Sequence, residues 1–393
     1  MELSPSDESE KYSLTKFESM LKTNNVFFFD SNEFESIIHH YLEIGKVSLA
    51  KKAINLGLDQ HPSSINLKLF RVEILIFEND FNAAEKLLNT LFELEPNNEE
   101  LYIQRANIYS KKDQHQKAID TFKEAIKIAD DCSEIHSLIG MEYLFLNEYE
   151  QAKTHFMKCV DLDIEDYSSL YNIIYCFEFL NQTKQAIKYL NWYLDQNPYC
   201  EVAWHQLGKQ YLEEKELQKA LTAFDFAVIS DDTFIGAYLE KAKVLERLNR
   251  HEEAIEQYTI TMAIEGTTAY TFLKIACCYE QLKIDDLALK FYNKAIEEDP
   301  AFDKGWMGIS LFYFSRKDFL KSLFYINKAI DIDSENVDYW NFYSKINERL
   351  NYFEEAERGY KKTLELGELA LETWLSRGDI LIKLGELLSC ALI

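Results

Sequence analysis

The chain has 393 residues, 47% hydrophobic and 14% aromatic, far too much apolar side-chain surface for a disordered protein. Twelve glycines and five prolines are too few for the turns of an all-β protein. With 42 basic against 67 acidic residues the net charge is −25, which argues against phosphate-backbone recognition and so against nucleic acid as a partner.

The N-terminus, MELSPSDESEKYSL, is acidic and Ser-rich and has neither the basic nor the apolar region of a secretory signal. Residues 1–12 are expected to be disordered. Leu14, Phe17, Met20 and Leu21 then share one face of a short amphipathic helix, followed by the apolar run Val26-Phe27-Phe28-Phe29. Segment 13–30 is expected to cap the apolar end of the structure that begins at Ser31; docking to another protein is the alternative.

From Ser31 onward one period governs the sequence. Ala50, Ala84, Ala118, Ala152, Ala186, Ala220, Ala254, Ala288 and Ala356 are separated by multiples of 34 residues, with Ser322 in the one gap. Pro62, Pro96, Pro198 and Pro300 form a second ladder of 34, and Phe34, Tyr102, Trp204, Tyr238, Phe272, Trp306, Trp340 and Trp374 a third. Ten full units and a 23-residue remainder fit without an insertion. In the unit 201–234, Trp204, Leu207, Gly208 and Tyr211 lie at i, i+3, i+4 and i+7, the spacing of one helix face. After the polar stretch 213–216, Ala220, Phe224 and Ala227 repeat the pattern in a second helix. Small residues at Gly208 and Ala220 allow close helix approach, and the large rings fill the space around it. One such pair leaves an apolar face open, which the next pair must cover, so the chain is expected to stack into a solenoid.

The series Trp204-Leu207-Gly208-Tyr211-Ala220-Phe224-Ala227, repeated nearly as well by Phe272-Ala276-Tyr279-Ala288-Tyr292-Ala295-Pro300, resembles the tetratricopeptide repeat (TPR) family over about nine-tenths of the chain. The resemblance implies an all-α, right-handed superhelix of about eleven helix-turn-helix units, one continuous array over 31–393 with a truncated eleventh unit. Several units depart from the pattern. Lys68 and Arg71 stand at apolar positions in the second, and Ile174 and Tyr193 replace small residues in the fifth, which suggests wider helix spacing there.

No nucleotide, dinucleotide, hydrolase or zinc-protease motif occurs, so neither catalysis nor a cofactor is expected. Asp161, Asp163, Glu165 and Asp166 lack the Gly and terminal Glu of a calcium loop, and His39-His40 has no nearby Cys, so no metal site is expected. No run of 18 apolar residues is present, and membrane insertion is not expected. Seven cysteines without a C-x-x-C read as free thiols in a reducing cytoplasm.

The resemblance further implies that positions nine and thirteen of each unit face the concave groove. In the fourth and fifth units these are Met141, Phe145, Tyr175 and Phe179; in the sixth, seventh and tenth they include Lys209, Lys243, Arg247, Lys345 and Arg349. With Lys111 and Lys383 the two rows hold seven basic residues against four acidic ones (Glu43, Glu73, Glu213, Asp379), an excess of three. A protein or peptide partner with apolar anchors and acidic residues fits such rows. The residues that hold a C-terminal carboxylate in TPR co-chaperones are not assembled here, Lys274 and Lys304 being isolated matches. These features suggest a non-enzymatic scaffold or adaptor in the cytoplasm. A chaperone-like carrier of exported or unfolded chains and the regulatory arm of a larger enzyme are the rivals. The last residues, Leu388, Ala391, Leu392 and Ile393, leave an apolar end open, which implies either a longer parent chain or contact with a partner or second copy.

Overall fold

A computed structural model describes residues 5–23, 27–367 and 371–385. Among these, every regular element is an α-helix, and the chain divides into two compact units, 1–182 and 183–393. The first unit contains α1 (Pro5–Thr23), α2 (Ser31–Glu43), α3 (Val47–Gln60), α4 (Ile65–Phe77), α5 (Phe81–Leu94), α6 (Glu99–Lys111), α7 (His115–Ile126), α8 (Ser133–Phe145), α9 (Tyr149–Leu162) and α10 (Tyr167–Phe179). The second contains α11 (Thr183–Gln196), α12 (Glu201–Glu213), α13 (Leu217–Ser230), α14 (Ile235–Arg247), α15 (His251–Glu265), α16 (Ala269–Gln281), α17 (Asp285–Glu298), α18 (Asp303–Ser315), α19 (Phe319–Ile332), α20 (Val337–Arg349), α21 (Phe353–Glu365) and α22 (Leu371–Lys383). Within each unit consecutive helices pack as hairpins, an all-α solenoid architecture. The 34-residue spacing leads to the expectation of one continuous array over 31–393. The division into two units falls inside the fifth repeat, the one in which Ile174 and Tyr193 take the place of small residues.

The period is kept to the residue. First helices begin at every 34th residue from Ser31 to Leu371, and second helices at every 34th from Val47 to Phe353. With Ser31, Ile65, Glu99 and their equivalents as position one, the turn between the paired helices has positive φ at position fifteen throughout, from Gly45 (69°) and Asn79 (62°) to Lys215 (61°), Lys283 (61°) and Asn351 (59°). The backbone there closes the first helix with a left-handed residue. In the eighth repeat, for example, the Ile284 N–H donates to the Tyr279 carbonyl at 2.9 Å and the Lys283 N–H to Glu280 at 2.9 Å, satisfying carbonyls that the helix end leaves open.

Packing inside a pair rests on matched volumes. A Cβ placed on Gly208 would come within 2.5 Å of the Phe224 ring, and one on Gly140 within 2.7 Å of Phe156. Position eight is thus a slot for the ring at position twenty-four, in addition to letting the helices approach. Where Ser322 interrupts the alanine ladder, its hydroxyl donates to the Ser310 carbonyl at 2.9 Å, and Ser310 returns a bond to the Ser322 carbonyl at 2.7 Å. Both serines are fully buried, and the reciprocal bonds satisfy them. Between repeats, the ring at position four is latched to the preceding turn: the indole N–H donates from Trp204 to the Pro198 carbonyl at 2.8 Å and from Trp306 to Pro300 at 2.9 Å.

Helix α1 starts at Pro5, so residues 5–12 are helical where disorder was expected. Pro at the first helical position followed by Asp7 and Glu8 in the first turn favours a helix start, and low hydrophobicity masked that signal. Phe17 and Met20 are buried with Phe29, Phe34 and Tyr41 against α2 and α3. Gln60 clamps the connecting segment by donating to the Phe27 carbonyl and accepting the Phe29 N–H, at 2.9 and 3.1 Å. The C-terminal residues expected to form an open apolar end, Leu388 to Ile393, lie outside the described residues.

Candidate partner-binding surfaces

In the first unit, α8 and α10 present Met141, Phe145, Tyr175 and Phe179 with 39%, 59%, 42% and 52% of their surface exposed. These are large apolar side chains that burial has not claimed, and neighbouring second helices hold them in place. Tyr149, at the start of α9, stacks on Phe179 with ring centroids 4.8 Å apart and meets Tyr175 at 6.4 Å; Tyr175 and Phe179 are 4.5 Å apart. His115, at the start of α7, stacks on Phe145 at 5.0 Å, and its Nδ1 lies 2.7 Å from the Glu142 carboxylate. Sequence rows nine and thirteen identify four members of this shelf. His115 and Tyr149 were missed, although both stand at position seventeen, the first residue of the second helix in their repeats.

The second unit holds Lys209, Lys243, Arg247, Lys345 and Arg349. Lys243 is paired with Glu240 at 2.7 Å, three residues earlier on the same helix. Lys209, Arg247, Lys345 and Arg349 make no ion pair among the described residues. One turn before Lys209 on α12 stands a residue that sequence reading passed over, His205. Its ring is wedged against Phe224 and Phe234, with centroids 5.7 and 5.1 Å away. Burial, and then Lys209, push its pKa down to about 4, while Glu240 pulls the other way and Lys243 lowers it further. The ring is neutral at physiological pH, and its buried Nδ1 has no hydrogen-bond partner.

Carboxylates at position twelve alter the charge balance read from the sequence. Glu246 accepts the Tyr258 hydroxyl at 2.6 Å and pairs with Lys274 at 3.0 Å. Glu280 accepts Tyr292 at 2.8 Å and pairs with Arg316 at 3.1 Å, and Glu348 pairs with Lys383 at 3.0 Å. In each case a buried tyrosine twelve residues later orients the acid, and a cation of the following repeat neutralises it. Of the cations counted on rows nine and thirteen, Lys383 is therefore already held by a row-twelve acid of the preceding repeat. A Glu-to-Tyr spacing of twelve, recurring at 246/258, 280/292 and 348/360, was the available signal.

Tetratricopeptide repeat families match residues 75–141, 133–163, 235–259 and 270–301, the last three each starting on the first helix of a pair. The chain is a tetratricopeptide repeat protein. It is 26% identical over 256 residues to anaphase-promoting complex subunit 3 of Schizosaccharomyces pombe, covering 65% of this chain and 38% of that one. It is 23% identical over 353 residues to a TPR repeat-containing protein of Methanocaldococcus jannaschii, covering 87% and 59%. The TPR chain thus spans about two-fifths to three-fifths of the length of these relatives. A solved tetratricopeptide repeat protein from Parabacteroides merdae aligns with TM-score 0.49 and 14% identity, over 63% of this chain and 98% of that one.

The remaining polar clusters have structural roles in the TPR frame. Asp163 and Asp166, at the junction between α9 and α10, accept the backbone N–H groups of Glu165 and Ser169 at 2.9 Å each. His39 stands edge-on to Phe70 at 4.8 Å. The six cysteines among the described residues are free; burial pushes Cys176 up to about 11 and Cys278 up to about 12, which keeps both protonated and poorly reactive. Lys274, one of the isolated co-chaperone matches, is occupied by Glu246. No described helix is long and apolar enough to cross a membrane.

Proposed function

We propose that this TPR protein is a non-enzymatic interaction scaffold of the cytoplasm. It captures an extended or helical segment of a partner protein on the first-helix rows. In the first unit Met141, Phe145, Tyr175 and Phe179 supply apolar anchors; in the second, taken by itself, Lys209, Lys243, Arg247, Lys345 and Arg349 favour acidic residues. The observation that carries the reading is the set of half-exposed large apolar side chains at matching positions on α8 and α10, since large rings left in water at regular positions mark an interaction surface. Support comes also from a relative that is a named subunit of a multiprotein complex. The α1 segment acts as the cap of the first repeat, because Phe17 and Met20 are used in that core.

Apolar burial supplies most of the affinity, and exposed cations set orientation and association rate. Panning the intact protein against a phage-displayed library of random 15-residue peptides tests this. The expected outcome is a single enriched motif with two apolar anchors and flanking acids, whose binding is lost in Phe145→Ala and Tyr175→Ala. Enrichment of unrelated apolar peptides with no motif would favour the carrier of unfolded chains instead.

A further inference from the structure

The second repeat breaks the family pattern at Lys68 and Arg71, and those two residues line an open cavity of about 650 Å³ between α3, α4 and α5. Lys68, Arg71 and Leu75 are spaced i, i+3 and i+7 on α4 and form one wall; Leu58 closes it from α3, and Lys86 and Leu87 from α5. In the sixth repeat the equivalent space measures about 290 Å³, and Trp204, stacked on Phe226 at 4.6 Å, fills its mouth. Lys68 and Thr90 replace that ring pair in the second repeat, so the space stays open and becomes cationic.

The cations there are unusual in a chain of net charge −25. Among the described residues Lys68, Arg71 and Lys86 make no ion pair or hydrogen bond. The one carboxylate on the wall, Asp80, is engaged in capping α5 by accepting the Ala83 N–H at 3.1 Å. In the adjoining cavity, which shares Arg71 and Leu75, Lys51 is by contrast paired with Glu78. Three cations without counter-ions, set around leucine walls, make a receptor for an acid carried next to an apolar group. The guanidinium of Arg71 suits a carboxylate, which it grips with two parallel N–H bonds.

We propose that this cavity is a second docking site, which takes an acidic segment of a partner protein. One apolar side chain sits among Leu58, Leu75 and Leu87, and flanking carboxylates pair with Arg71, Lys68 and Lys86. The site is separate from the first-helix rows. Arg71 and the row-nine residue Glu73 are two residues apart on α4, about 200° around the helix, and so face opposite ways.

The test measures fluorescence anisotropy of a labelled 12-residue peptide of alternating leucine and glutamate on the full chain. Its counterpart with glutamine for glutamate and a polyglutamate of equal length serve as controls. The glutamate–leucine peptide binds, with affinity falling as salt rises; Lys68→Glu/Arg71→Glu weakens it at least about tenfold, as expected for reversal of desolvated charge pairs. Phe145→Ala/Tyr175→Ala leaves it unchanged, which separates this site from the aromatic shelf. Should the charge reversal unfold the chain by circular dichroism, Lys68→Gln/Arg71→Gln and a benzophenone photo-crosslinker at Leu87 replace it. Peptide cross-linked at Leu87 supports the site. Equal binding of the glutamine peptide, equal binding of polyglutamate, or binding of the peptide with no cross-link at Leu87 would overturn it.

Discussion

The second and sixth repeats have helices of the same length, 13 and 14 residues, yet they fill the same frame with different side chains. At positions eight and twenty-four the sixth pairs Gly208 with Phe224, and the second pairs Val72 with Leu88; all four are buried. Volume removed from one helix is returned on the other. At positions four and seven the sixth has Trp204 and Leu207, whereas the second has Lys68 and Arg71. Across the gap Leu87 stands for Ala223, but Thr90 stands for Phe226, and the space stays larger. The first difference conserves packing, and the second gives it up to leave a charged cavity. A repeat frame tolerates exchange of volume between its helices, and uncompensated changes point to work other than folding.

The largest effects should come from breaking the volume exchange. Gly208→Val puts the second repeat's residue into a slot occupied by Phe224 and should destabilise the protein by about 1–3 kcal/mol in denaturant unfolding. Phe224→Leu restores the second repeat's pairing, so the double variant should be more stable than the sum of the single losses. Strict additivity would show that the two positions do not share one space.

Transplanting in the other direction comes next. Lys68→Trp/Arg71→Leu gives the second repeat the apolar surface of the sixth and should raise stability by about 1–2 kcal/mol, through burial of side chains that now border an open cavity. It should at the same time abolish binding of the glutamate–leucine peptide. A loss of stability would mean that Lys68 and Arg71 hold the fold together.

Position five differs as well, with Leu69 in the second repeat and His205 in the sixth. Burial depresses the His205 pKa to about 4, below the unfolded value of about 6.5. The fold therefore holds the neutral ring. Its contribution is complete above pH 6.5 and is lost as pH falls towards 4, because the unfolded chain takes up the proton first. His205→Leu should flatten the decline of thermal stability between pH 7 and pH 4.5; His136 and His155, lowered in the same direction by burial, leave a residual slope. An unchanged slope would place the acid sensitivity elsewhere.

The smallest effect concerns the turn. Asn79 and Lys215 occupy the same left-handed position, at φ 62° and 61°, and Asn tolerates it better than Lys. Lys215→Asn should stabilise by about 0.5 kcal/mol, measured against Asn79→Lys as the reverse change.

Core features were legible in the sequence because they restrict residue type. The alanine and aromatic ladders placed every repeat, and helix boundaries recur at the same 34-residue interval. Turn geometry was legible only where Gly or Asn occupies position fifteen; Lys215, Lys283 and Lys317 adopt it without any compositional sign. The start of α1 was missed because a helix first turn rich in Ser and acids has the composition of a disordered tail. At the candidate surfaces, rows nine and thirteen gave the aromatic shelf, but ion pairing was hidden. Glu246, Glu280 and Glu348 gain their partners from the next repeat, so no local stretch shows that Lys274, Arg316 and Lys383 are spoken for. Lys68 and Arg71 stood out as departures, whereas their lack of acidic partners emerged only from the fold.

The central claim is that the aromatic shelf is the principal partner-binding surface. Isothermal titration of the library-selected peptide against wild type, Phe145→Ala and Tyr175→Ala, all with equal helicity, tests it most directly. Each substitution is expected to weaken binding by more than about 1 kcal/mol, as removal of a buried aromatic anchor does. Wild-type affinity in both variants would contradict the account and move the binding surface off α8 and α10.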